Sequence, residues 1–322
     1  MRVNQTLGST LLIAVALGLS LVLAEGVLWL KNSSMQNYDI EMWRYARELK
    51  QSSADPALGH EHVKNRSAVL QSVEIRINEW GLRGGKVDPL PPGGRRILVL
   101  GGSITLGWGV PEEKTMTAQL QAMFEAEGKQ VQVLNAGVGN YNAERYVGRF
   151  FRDLAALKPT DIVVHYFLRD AEQLDPGGGN IFLRNSELAV TLWIAVHRLF
   201  DRQGNQALED HYAAVYRQDA PGFLAMKAAL GRLADYAREN GIRIFLAMVP
   251  DVHNLADYKL TPVHDRMRQI SGELGYTYLD LLPVFGKLKP EEVWAMPGDP
   301  HPNALGHKLM AEALFPVLRA AE

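Results

Sequence analysis

The chain has 322 residues, with 34 basic against 36 acidic side chains and a formal net charge of −2. That balance leaves no basic face for a nucleic acid, and no nucleic-acid partner is expected. Cysteine is absent, which excludes disulfides, thiolate metal sites, a cysteine nucleophile and a lipid anchor on an N-terminal cysteine.

Leu7 to Leu30 is almost wholly apolar, broken only by small or hydroxyl residues and Glu25. A bilayer core takes about 20 such residues. A signal peptide cleaved after Val22-Leu-Ala24 is the rival reading. The apolar run continues through Gly26-Val-Leu-Trp-Leu30, and Trp29 suits a membrane interface, so residues 1–31 are read as an uncleaved anchor. Residues 32–92 are polar and irregular, with a short helix near Trp43 to Leu49, and are read as a stalk and the edge of the globular domain. His60-Glu-His62 is a metal-pair pattern without an evident third ligand, so these are read as loop histidines and no metal is expected. Asn78-Glu-Trp-Gly-Leu-Arg83 precedes a Pro/Gly-rich break at Pro91-Pro-Gly-Gly94, and the catalytic domain is placed at residues 93–322.

From there strands and helices alternate. Strands are expected at Arg96–Leu100, Val131–Leu134, Ile162–Phe167, Ile242–Val249 and Tyr276–Leu279. Helices are expected at Thr117–Glu127, about Asn142–Leu157, Pro221–Asn240, Pro262–Leu274 and Ala304–Ala320. This βα alternation predicts a mostly parallel five-stranded sheet with helices on both faces. Glu172 to Ala220 is too long for a plain connection. Its apolar stretch from Leu188 to Phe200 is short for a second span and contains His197 and Arg198. It reads either as a lid or substrate wall, at about 172–220, or as a helix packed on the core.

Leu98-Val-Leu-Gly-Gly-Ser103-Ile-Thr-Leu-Gly107 is a buried strand entering a glycine turn with a serine at its tip. A phosphate loop would need lysine where Trp108 stands. The nucleophile elbow of α/β-hydrolases would need glycine where Thr105 stands. A nucleophilic serine of another class, or an ordinary strand-to-helix turn, remains. Near the other end, Asp299 and His301 alternate with Pro300 and Pro302, which favour extended backbone. Residues two apart in an extended segment point the same way, so Asp299 can hold the His301 imidazole with one nitrogen free toward a serine.

These motifs resemble the SGNH (GDSL-type) hydrolase family from about Asn78 onward. The first block appears as Gly101-Gly-Ser103 and the second as Asn135-Ala-Gly-Val-Gly-Asn140. The third reads Phe167-Leu-Arg-Asp170, with Arg169 where the family has its oxyanion asparagine. The last is Asp299-Pro-His301, followed by Gly306-His307. The resemblance implies a flavodoxin-like three-layer αβα sandwich and cofactor-free serine chemistry on acyl esters. Ser103 would be the nucleophile, His301 the base and Asp299 the orienting acid. The backbone of Ser103 and Asn140 and the side chain of Arg169 would form the oxyanion hole, and Gly102, Gly139 and Asp170 would line the substrate site. His165 and His253 are read as structural or peripheral. The family and the anchor together imply a bacterial inner-membrane protein with its domain in the periplasm or outside the cell. Its expected substrate is an acylated glycan, with acyl transfer by the same triad or non-catalytic glycan binding as alternatives.

Overall fold

The computed structural model describes residues 2–34, 37–174, 183, 185–200, 205–286, 288–296 and 301–321. They form two compact units, residues 1–47 with 179–202, and residues 48–178 with 203–322.

The larger unit opens with two antiparallel hairpins, β1 (Lys50–Ser52) with β2 (His60–His62) and β3 (Arg66–Leu70) with β4 (Val73–Ile77). The segment expected to be irregular is therefore partly sheet. Its strands are only three to five residues long; β1 and β2 are polar, and the apolar/polar alternation of β4, Val-Glu-Ile-Arg-Ile, spans just five residues. The main sheet contains β5 (Arg95–Gly101), β6 (Val131–Asn135), β7 (Asp161–Phe167), β8 (Arg243–Val249) and β9 (Thr277–Asp280). Its order is β6-β5-β7-β8-β9, and every neighbouring pair is parallel. This is the flavodoxin-like three-layer α/β sandwich. The order reverses between β5 and β7, and in such sheets ligands bind outside the carboxyl ends of the strands at that point.

The central strands β5, β7 and β8 read as largely apolar runs because both faces are covered. Leu98 and Leu100 of β5, Ile162 and Val164 of β7, and Leu246 and Met248 of β8 face one layer. There they pack on Tyr146, Phe150, Leu230, Leu233, Met267 and Ile270 from the helices Ala143–Arg152, Pro221–Glu239 and Thr261–Leu274. Ile97, Val99, Val163, Phe245 and Ala247 face the other, against the helices Met116–Ala126 and Ala304–Ala320. Successive side chains alternate between faces, which is the period of two that a strand imposes. At the amino end of the sheet the fully buried Asp161 carboxylate takes two hydrogen bonds from Arg95, at 2.7 and 2.8 Å, and an ion pair from Arg243 at 2.8 Å.

The structure divides the expected 172–220 insertion. Its second half contributes the helix Asn205–Val215 to the larger unit. The apolar helix Glu187–Phe200 belongs to the smaller unit, with the helices Arg2–Ser34 and Tyr38–Glu48 forming most of the remainder.

Candidate active site

β5 delivers Gly101, Gly102 and then Ser103, the first residue of a one-turn helix ending at Leu106. A Cβ on Gly101 would stand 2.1 Å from Thr105 Oγ1 and 2.8 Å from the His165 carbonyl, so only glycine lets the chain turn here. The turn is braced from several directions. Arg83, buried, donates to the carbonyls of Leu106, Gly107 and Val110, each at 2.6 Å. Asn135 Nδ2 donates to the Thr105 carbonyl at 2.7 Å, and its Oδ1 accepts from Gly137 N–H at 3.0 Å. Thr105 Oγ1 lies 2.9 Å from His165 Nδ1. The site of the family-like first block is thus held by side chains from well outside it.

His301 reaches Ser103 across 198 residues of sequence, with Nε2 2.7 Å from Ser103 Oγ. His301 is 5% exposed while the serine is partly exposed. The His301 carbonyl accepts from Ala295 N–H, and Asn303 N–H donates to the Val293 carbonyl, which ties the histidine segment to the short helix Pro290–Val293. Asn303 also caps the last helix, accepting from Leu305 and Gly306. Asp299, expected to orient His301, lies outside the described residues. His307 is no base here. It is buried in the last helix, its Nδ1 accepts from Met116 N–H, and burial pulls its pKa down to about 3.

The loop after β6 carries Gly139 and Asn140. Asn140 has φ +63°, the left-handed region that asparagine tolerates better than most residues. The buried Gly139 carbonyl accepts from Lys50 Nζ at 3.2 Å and from His60 Nε2 at 3.0 Å. Arg145 reaches the Asn140 carbonyl at 3.4 Å. Burial and the Arg145 charge pull Lys50 down to about 7. Burial and the Lys50 charge pull His60 down to about 3, so its neutral ring carries the proton on Nε2 and donates. His62 packs inside the same hairpin with Nδ1 2.9 Å from the Gly81 carbonyl. Among the described residues no group of three metal-ligating side chains forms.

The turn after β7 carries Arg169 and Asp170. Arg169 Nε donates to Glu172 at 3.1 Å with a half-exposed side chain. Asp170 faces inward: its Oδ2 accepts from Phe167 N–H at 3.1 Å, and burial pushes its pKa up to about 8. Its carboxyl therefore shapes the turn. His253 pairs with Asp251 at 2.8 Å beyond β8. A cavity of about 550 Å³ opens beside β6, among Asn78, Lys86, Asp88, Gln121, Glu125 and Gln132, and neither Ser103 nor His301 lines it.

Sequence reasoning gave no role to Lys50, His60 or Arg83. Arg83 ends the noted Asn78–Arg83 motif, where Asn78 Oδ1 holds Trp80 and Leu82 N–H groups and so delivers the arginine. Lys50 and His60 bond a distant backbone carbonyl, which has no sequence signature.

Residues 99–309 match the model of the GDSL-like lipase/acylhydrolase family. No curated protein matches the chain. Among solved structures it is similar to the psychrotrophic esterase EstA from Pseudoalteromonas sp., at 16% identity over 70% of this chain and 98% of that one, with TM-score 0.45. It is also similar to the acetylxylan esterase Axe2 from Geobacillus stearothermophilus, at 18% identity over 69% and 93%, with TM-score 0.45. A two-domain esterase active on acetylated mannans shows 18% identity over 70% of this chain and 49% of that one, with TM-score 0.44.

Proposed function

The chain belongs to the GDSL-like lipase/acylhydrolase family and is a hydrolase acting on ester bonds, and from that premise we propose that it removes acyl groups, acetyl first among them, from envelope or exopolysaccharide glycans. The observation that carries the serine chemistry is the 2.7 Å contact between Ser103 Oγ and His301 Nε2. Ser103 attacks the ester carbonyl and its proton passes to His301. His301 returns that proton to the departing sugar oxygen as the ester bond breaks. Water, deprotonated by His301, then attacks the acyl-serine and releases the carboxylic acid with free Ser103.

The oxyanion formed at each step is stabilised by the backbone N–H groups of Ser103 and Asn140 and by the Arg169 side chain, while Asp299 orients His301. Gly102 and Gly139 give the substrate close access to backbone. The glycan class and a periplasmic or extracellular site rest on the apolar N-terminal helix, which would hold the enzyme at a bacterial inner-membrane surface.

The test is fluorophosphonate labelling of the full chain in detergent, beside Ser103→Ala and His301→Ala. Labelling lost in both variants supports the nucleophile and base, and labelling that persists in Ser103→Ala refutes them. Acetate release from acetylated glycans, set against hydrolysis of long-chain acyl esters, then tests the substrate class. A preference for long chains would overturn the glycan reading.

A further inference from the structure

The helix Glu187–Phe200 carries apolar residues on both sides, with Glu187 at its start and His197 and Arg198 near its end. Glu187, Val190, Thr191 and Ile194 are buried or half-buried, at the i, i+3, i+4, i+7 spacing of one helix face. On the other side Leu192, Trp193 and Val196 are 57%, 47% and 49% exposed. A helix segment with apolar residues on both sides, as Leu188–Val196 has apart from Thr191, belongs in a protein core or in lipid. Among the described residues nothing covers this outer side.

Its partner on the inner side is the N-terminal helix. There Gly8–Ser33 forms 26 apolar-dominated residues with an exposed surface. At about 1.5 Å per residue it is roughly 39 Å long, enough to cross a hydrocarbon core of about 30 Å. Glu25 is the acidic residue inside that run, and a carboxylate there is costly unless partnered. It is partnered by the second helix: Glu25 accepts from Ser186 Oγ at 2.9 Å, Glu187 N–H at 2.6 Å and Leu188 N–H at 3.0 Å. The two N–H groups are first-turn donors that lack intrahelical partners, at the positive end of the helix dipole. Asn32 Nδ2 and Arg47 Nη1 hold the two oxygens of Glu187, at 2.8 and 3.1 Å. The second helix is therefore docked on the spanning helix by a designated polar joint.

We infer that the Leu192–Trp193–Val196 face is a lipid-contacting surface, and that the helix Glu187–Phe200 sits in the bilayer against the anchor. The occupant is the phospholipid bilayer, because this face adjoins the element whose own exposed apolar surface requires lipid. Trp193, its ring 4.0 Å from that of His197, supplies an amphipathic aromatic group of the kind favoured at a membrane interface. The inference rests on the membrane reading of residues 1–31.

The cysteine-free chain makes the test direct. Single-cysteine variants Leu192→Cys and Val196→Cys of the full chain are labelled with an environment-sensitive fluorophore and reconstituted into vesicles of phosphatidylcholine and phosphatidylglycerol. Leu17→Cys, exposed in the span, and Ser67→Cys, exposed in the larger unit, are the references. Quenching by doxyl-labelled lipid at 192 and 196, severalfold above that at 67 and with protection from aqueous iodide, is the expected result. Quenching by iodide at 192 and 196 while 17 responds to lipid overturns the inference and spares the anchor. Protection from both quenchers would mean a protein covers the face, and overturns it too. A probe at 17 that ignores lipid overturns the anchor and the inference together.

Discussion

Lys50→Met separates the support of the oxyanion loop from the stability of the fold. In the proposed mechanism the Asn140 N–H serves the oxyanion, and because a trans peptide points its N–H and C=O oppositely, whatever holds the Gly139 C=O fixes the direction of that N–H. Lys50 and His60 both hold that C=O. Losing an oxyanion donor outright costs about 10²–10³ in rate. Lys50→Met leaves the donor in place and leaves His60 on the carbonyl, so the loss is that of one hydrogen bond, about 1.4 kcal/mol or roughly tenfold in kcat. KM should change little, since the interaction matters in the transition state. Stability should move the other way. Lys50 titrates at about 7 when folded against an ordinary 10.5, so below pH 7 the folded state carries the full cost of its buried charge. Between pH 7 and 10.5 the unfolded chain binds more protons, and wild-type stability rises with pH. The variant should therefore melt higher than wild type at neutral pH, with the gap closing toward pH 10.5. Hydrolysis of a short-chain p-nitrophenyl ester and melting curves across that range measure both. An unchanged kcat in both Lys50→Met and Lys50→Met/His60→Phe would refute the reasoning.

Three further outcomes follow from the same site. Arg169→Ala should lower kcat about 10²-fold with KM nearly constant in ester hydrolysis; an unchanged kcat removes Arg169 from the oxyanion hole. Asp170 is buried with its pKa raised to about 8 against an ordinary 3.8, so the folded state holds a proton that the unfolded chain gives up, and stability falls as pH rises through that window. Asp170→Asn should accordingly melt higher than wild type at pH 8 and converge with it near pH 4, and a constant gap across the range would contradict the cause assigned. Gly137→Ala would put a Cβ 2.2 Å from Leu106 N and 2.7 Å from the Thr105 carbonyl carbon, so it should displace the nucleophile turn and cut fluorophosphonate labelling at least tenfold; labelling at the wild-type rate counts against tight coupling of the two loops.

The five parallel strands were legible because the central three carry largely apolar runs and all five alternate with helical segments, and the observed ends differ by one residue at most positions. The last helix was legible at both ends, with Asn303 as its cap. The proximity of Ser103 and His301 was legible only as motif and topology, since no local pattern connects residues 198 apart. The two hairpins were hidden because their strands are only three to five residues long, although Val73–Ile77 alternates apolar and polar throughout. The role of the Leu188–Phe200 stretch was hidden for another reason. Its length argued against a span, and its docking on the N-terminal helix depends on Glu25, which in sequence reads only as an interruption of the apolar run.

The family match begins at residue 99, and the Pro/Gly break near 92 looked in sequence like the start of the catalytic domain, yet the compact unit begins at residue 48. The braces explain why the boundary lies upstream. Arg83 holds three carbonyls of the nucleophile turn, and its own N–H donates to the Asn135 carbonyl at 3.1 Å. Leu82 lies in the same buried cluster as Leu98 and Leu100. Lys50 and His60 hold the loop that bears Asn140. The strands bring Ser103, Asn140 and Arg169 to one sheet edge, but edge loops are the least constrained part of such a fold. The upstream segment supplies that constraint by hydrogen-bonding the loops' main-chain carbonyls: Lys50 and His60 from the first hairpin, and Arg83 from just after the second. A chain cut at residue 93 would keep the motifs and the sheet but lose the side chains that hold the turn after β5 and the loop after β6, so the proposed chemistry calls for the compact unit from residue 48 onward.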